Sequence, residues 1–312
     1  MISRKVGRAL SAYAFFVATT ASRGDQPLET MTTYQTILVH NDQSAGARNR
    51  LGVAIGLSRD FAAQLVSVYL DDLPEISPSL AALLPDETVA EFLRNAANSQ
   101  RAAEDTFRQD AAAAGVTAVE WRAPAGPPIE AMVAHARCAD LIVVGQPEPS
   151  EGDWSFAAQL VAAVLLESGR PMLVVPYIGA PAAVGTHVLV AWDGGREATR
   201  AVADAMPLLA RARQVTIACL DPGASARGAD GAARDRLVAY LRRHGVTARV
   251  EHDQLSDGDL AVGDWLLSRG ADLGANLIVM GGYGQPRWRE RVLGGATRAL
   301  LAAMTMPVLM AH

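Results

Sequence analysis

Short runs of apolar and β-branched residues recur along the chain, separated by longer stretches in which apolar residues return every three or four positions. The first run, 36–40 (TILVH), stops at Asn41-Asp42, and 45–60 follows with helical spacing through Leu51, Ile55 and Leu57. Further strands are expected over 63–70, 116–121, 141–144 and 171–175, and helices over 87–115, 128–138 and 156–168. The segment 71–85, with three prolines, reads as an insertion. Strands that are apolar throughout, rather than alternating, are covered on both faces. Interleaved with helices, they predict a parallel sheet with helices on either side.

The same order then starts again. Strands are expected over 187–191 (HVLVA, stopping at Trp192-Asp193), 214–220, 246–250, 277–280 and 306–310, with helices over 197–211, 230–244, 259–269 and 297–304. Two passes through one pattern imply a duplication. The residues agree: ADLIVVG at 139–145 answers ANLIVMG at 275–281, and RPMLVV at 170–175 answers MPVLMA at 306–311, both at an offset of 136. The first strands are 151 apart, and the difference is about the size of the insertion after Leu70. The expected architecture is therefore α/β, with two tandem open parallel five-stranded sheets carrying helices on both faces. One domain spans 34–177 and the other 186–312, joined by a linker rich in Gly, Ala and Pro.

The N-terminal extension 1–33 admits two readings. Arg4 and Lys5 ahead of an apolar run at 9–18 resemble a short signal peptide; the run is weak and broken by Ser11 and Thr19, which favours a start at Met31. No other stretch reaches the apolar length of a bilayer span.

Composition changes this picture little. Half of the 312 residues are hydrophobic and a fifth charged, as in soluble globular proteins, and the net charge of −5 offers no footprint for nucleic acid or a membrane surface. The two cysteines, Cys138 and Cys219, belong to no CxxC or Cys/His cluster and read as small buried hydrophobes. They fit a reducing compartment.

In an open parallel sheet ligands bind beyond the carboxyl ends of the strands, where strand order reverses. In the second domain the residues at such ends are Asp193 and Gly281-Gly282-Tyr283-Gly284, with Gly294-Gly295 opening the last helix. Gly281 and Gly284 let backbone N–H groups approach an anion, a helix starting at Gly294-Gly295 offers unpaired N–H groups and its dipole to phosphate, and Asp193 suits an adenine amino group or a ribose hydroxyl.

This spacing resembles the universal stress protein family, whose nucleotide-binding members carry G-x2-G-x9-G-(S/T) after the fourth strand and Asp after the first. The match falls on Gly281, Gly284 and Gly294 with Asp193, and Leu220 stands where the family's second strand offers backbone groups to adenine. Gly295 replaces the hydroxyl residue after the last glycine, with Thr297 as its stand-in. The resemblance implies an adenine nucleotide, ATP or AMP, with or without Mg2+, held in the second domain. The first domain departs further. Asp42 and Gly145 remain, but Glu148 replaces Gly284, Ala158-Gln159 replace Gly294-Gly295, and Glu151 and Asp153 add negative charge that repels phosphate. No ATP is expected there.

Other residues have plainer readings. Arg287, Arg289 and Arg291 are solvated loop charges or phosphate partners; Trp192 and Tyr283 flank adenine or pack between the repeats; His40 is a polar rim residue. Asp253, Asp257, Asp259 and Asp264 match no calcium-loop spacing. No phosphate loop, nucleophile elbow or zinc motif is present, and no catalytic residue is nominated. The reading is a stress-response signalling module of the cytoplasm that binds a nucleotide and an unidentified protein partner. Its two repeats pair through their last strands as a built-in pseudo-dimer, and a homodimer is a further form. Slow ATP hydrolysis, with Asp193 holding a metal, and a ligand-free partner-binding protein are the alternatives.

Overall fold

The computed structural model describes residues 33–70, 83–148, 155–179, 183–221, 231–254, 262–283 and 295–312. Residues 34–312 form one compact unit. Its first half runs β1 (Thr36–Asn41), α1 (Ala47–Phe61), β2 (Gln64–Tyr69), α2 (Asp86–Ala113), β3 (Val119–Arg122), α3 (Pro128–Ala136), β4 (Leu141–Gly145), α4 (Phe156–Glu167) and β5 (Met172–Val175). Its second half runs β6 (His187–Trp192), α5 (Arg196–Asp204), α6 (Met206–Leu209), β7 (Gln214–Asp221), α7 (Gly231–Arg243), β8 (Ala248–Gln254), α8 (Val262–Asp272), β9 (Leu277–Gly281), α9 (Gly295–Ala303) and β10 (Val308–Ala311).

The strands form one sheet of ten, ordered β3-β2-β1-β4-β5-β10-β9-β6-β7-β8. Within each half all neighbours are parallel; where the halves meet, β5 and β10 are antiparallel, pairing Val174 with Val308, Leu173 with Leu309 and Met172 with Met310. The two five-stranded sheets expected are joined into one through the last strand of each, the contact expected between the repeats, where each strand leaves an edge that the other half covers. Unpaired strand edges are costly, and joining them satisfies both.

Successive side chains of each strand enter opposite cores. Ile37 and Val39 pack with Leu51, Ala54 and Ile55 of α1, whereas Leu38 packs with Met132 of α3 and Leu160 of α4. Leu173 and Leu309 belong to the first core, Met172, Val174, Val308 and Met310 to the second, so both cores run without a break across the junction.

Contacts around the junction repeat at the offset of 136. Gln146 and Gly282 donate their backbone N–H groups to Val175 and Ala311 at 2.8 and 2.9 Å. The Gln146 side chain donates to the Leu301 carbonyl at 2.8 Å, and at the equivalent place Gly282 has no side chain because Leu165 Cδ2 occupies the space of its Cβ. At the opposite sheet edge Asp140 accepts from the N–H groups of Gln35 and Thr36, as Asn276 accepts from those of Gly185 and His187. A carboxylate in one half and an amide in the other pin the entering strand in the same way.

Several elements differ from expectation. The helix expected over 197–211 is two helices, because Pro207 lacks the N–H of a continuous ladder and the chain restarts at Met206. Val116 is not in β3; its N–H bonds to Ala111 O at 2.9 Å after Gly115 at φ +79°, closing the end of α2. The last helix begins at Gly295 rather than Thr297. Among the described residues no helix is long and apolar enough to cross a membrane.

Candidate functional site

From β1 the first half winds outward to β2 and β3, then returns to place β4 on the other side of β1. The second half does the same about β6 and β9. The order reverses between β1 and β4 and between β6 and β9, so each half has one crevice at its carboxyl edge where a ligand is expected.

In the first half that crevice opens into a cavity of about 620 Å3. Its floor is a polar cluster that the sequence reading did not assemble. Arg50 projects from α1, on the same stripe as the buried Val53, Ala54, Leu57 and Phe61, and is itself only 4 % exposed. Its Nη2 lies 2.8 Å from Asp42 Oδ1 and its Nε donates to the His40 carbonyl at 2.7 Å. Its third nitrogen fills the space a Cβ on Gly145 would take, so the first motif glycine serves an arginine side chain. The signal was present in the sequence: a charged residue on a helix stripe that is otherwise apolar.

His40 is buried, 3 % exposed, with Nε2 3.5 Å from Asp42 Oδ2. The rim position expected for it is therefore corrected: at the end of β1 its side chain falls on the inner face and contacts Phe156 of α4. Burial, reinforced by the Arg50 guanidinium and opposed by Asp42, lowers its pKa to about 3, so the ring is neutral. Burial pushes the Asp42 carboxyl up, but Arg50, His40 and two hydrogen bonds from Ser44 outweigh it, and the group stays ionised below its ordinary range.

The second half has the same frame and different contents. Ala191 and Ala201 stand at the positions of His40 and Arg50. Asp193, equivalent to Asp42, is exposed and accepts the Gly195 N–H at 2.8 Å, forming a turn ahead of α5. Helix α5 starts earlier than α1, and a Cβ on Gly281 would lie 2.6 Å from Ala198 N and 2.7 Å from Glu197 C. Gly281 thus admits a helix start where Gly145 admits a guanidinium. Leu220 lies on β7 in register with Asp253 of β8, and Gly295 opens α9 with Thr297 buried in its first turn. Gly284 and Gly294 lie outside the described residues, as do Arg287, Arg289, Arg291, Glu151, Asp153, Asp257 and Asp259.

Trp192 and Tyr283 do not face one another. Trp192 belongs to one core and Tyr283 packs against the other, each with its polar atom buried and without a hydrogen bond. Tyr283 takes the left-handed backbone at φ 54°, and burial raises its hydroxyl to about 12.

The model of the universal stress protein family matches residues 33–176, the half whose glycine motif is incomplete. A universal stress protein from Archaeoglobus fulgidus shares the fold at a TM-score of 0.65 and 17 % identity, covering 88 % of this chain and 97 % of that one. A functionally unknown protein from Pseudomonas aeruginosa superposes at 0.51 and 14 % identity, covering 89 % and 92 %. No curated protein sequence matches the chain. Residues 33–176 thus form a domain of the universal stress protein family.

Proposed function

We propose that the protein is an adenine-nucleotide-binding regulatory module of the cytoplasm, holding one ATP or AMP in its second half and none in its first. The observation that carries this reading is the convergence of Asp193, after β6, and the Gly281-Gly282 turn, after β9, on the two sides of one reversal point. There a parallel sheet offers its strand ends to a ligand. Helix α9 begins at Gly295 after the glycine-rich segment, and its N-terminal N–H groups suit a phosphate. Thr297 supplies a hydroxyl within the first turn, and Leu220 supplies backbone groups on the neighbouring strand. Occupancy would act by favouring one state of a partner-binding surface.

Calorimetric titration of ATP with Mg2+ tests this. Binding at about one per chain, lost in Gly284→Glu and weakened at least tenfold in Asp193→Ala, supports the reading. No heat in the unmodified protein, or unchanged heat in both variants, rejects it. ADP released in proportion to Asp193 would instead support the slow-hydrolysis alternative.

A further inference from the structure

We infer that His312 is a positioning residue of the second crevice: its imidazole holds the peptide between Gly282 and Tyr283 in the orientation that a nucleotide meets. The inference rests on the reading of that crevice as the nucleotide site, and deepens it by naming what shapes the turn after β9.

Strands β9 and β10 pair up to Gly281 and Ala311. One residue further on, the Gly282 N–H donates to Ala311 O at 2.9 Å, and the Gly282 carbonyl lies 3.0 Å from His312 Nδ1. A carbonyl oxygen only accepts, so Nδ1 is the donor and carries a hydrogen. Both backbone groups of Gly282 are thereby bound to β10 and the residue after it. From a third direction Leu165 Cδ2, contributed by the first half, fills the space of a Cβ on Gly282.

The Gly282 carbonyl belongs to the planar unit that leads to Tyr283, so fixing it fixes the plane. Beyond it Tyr283 takes the left-handed backbone at φ 54°, which residues other than glycine rarely adopt. Such a conformation persists where its surroundings impose it, and it gathers at functional sites. The bond from His312 supplies the hold; the buried Tyr283 hydroxyl, without a hydrogen bond, does not.

The first half lacks this device. At the offset of 136, Gln146 stands for Gly282 and Pro176 for His312. The Gln146 N–H repeats the bond to the preceding strand, at Val175 O and 2.8 Å, but the proline ring has nothing to donate. The hold therefore belongs to the half read as the nucleotide site.

Two measurements on the full chain test the inference. With 15N-histidine and no nucleotide, at about pH 8 where histidine is ordinarily neutral, the His312 ring should carry its hydrogen on Nδ1. A bare Nδ1 overturns the hold whether or not a nucleotide binds. In calorimetric titration with ATP and Mg2+, His312→Phe, which keeps a ring but has no donor, should bind about fivefold more weakly, the usual worth of one hydrogen bond. His312→Asn, whose amide N–H takes the place of Nδ1–H, should stay within about twofold of the unmodified protein. Loss in both variants, or in neither, overturns the positioning role. No heat in the unmodified protein rejects the nucleotide reading, and the role with it, and is told apart by the ring hydrogen, which stays on Nδ1.

Discussion

The two halves of this protein share a winding order, a pair of pinning residues at one sheet edge and a set of reciprocal junction contacts, yet they fill the same crevice with different chemistry. In the first, Arg50, His40 and Asp42 form a buried polar floor; in the second, Ala191 and Ala201 occupy the corresponding positions and Asp193 stands exposed. In both halves the scaffold is held by packing and strand pairing, which involve dozens of residues. The crevice depends on a handful. A few changes give the two crevices different contents.

The largest effect should come where the halves depend on each other. Leu309 is fully buried in the strand that joins them. Leu309→Ala should cost about 3–4 kcal/mol, as large-to-small core changes do. Because the cores are continuous, urea unfolding should remain a single transition for both halves. Two separated transitions would break the comparison at its base by making the halves independent.

Next comes the pair of equivalent glycines. At Gly281 an added methyl meets helix backbone at 2.6 Å, whereas at Gly145 it meets the far end of a side chain. Gly281→Ala is expected to cost about 3 kcal/mol and Gly145→Ala about 1 kcal/mol, the upper and lower ends of overpacking. Denaturant midpoints of the two variants give the order, and a reversed order would contradict the different uses assigned to the two glycines.

Arg50→Met leaves Asp42 without its cation while keeping most of the packed volume. Asp42 retains some solvent and its two Ser44 hydrogen bonds, so the loss should be about 2 kcal/mol, below that of a fully buried broken pair. Ala201→Met, its counterpart, tests packing alone.

A last contrast is in pH. His40 titrates near 6.5 when unfolded and near 3 when folded, so the unfolded chain binds the extra proton between those values. Stability is full above about 6.5 and declines as pH falls toward 3, by up to about 1.4 kcal/mol per unit for this group. Depression of the Asp42 pKa adds in the same direction at lower pH. His40→Gln should flatten the slope between pH 6 and 4; Ala191 has no counterpart to titrate.

Much of this was legible in the sequence. Strand cores such as LIVV and LIVM are apolar on both faces and left no alternative to a doubly covered parallel sheet, and the offset of 136 carried through to the contacts of Gln146 and Gly282. The joining of the sheets depends on strand edges, which hydrophobic patterning does not encode. The first-half cluster was harder still. His40 lies near the end of β1, where its facing depends on the exact register, and Arg50 meets Asp42 only because α1 crosses the sheet at the right height. The helix break at Pro207 was, by contrast, written in a single residue.

The most direct test of the account is where a nucleotide attaches. Photolabelling of the full chain with 8-azido-ATP, followed by peptide mapping, should place the label in peptides from residues 187–312, competed away by ATP and absent in Gly284→Glu. Label within residues 36–177 that ATP competes away would put the nucleotide in the half with the polar floor and contradict the division of roles between the two crevices.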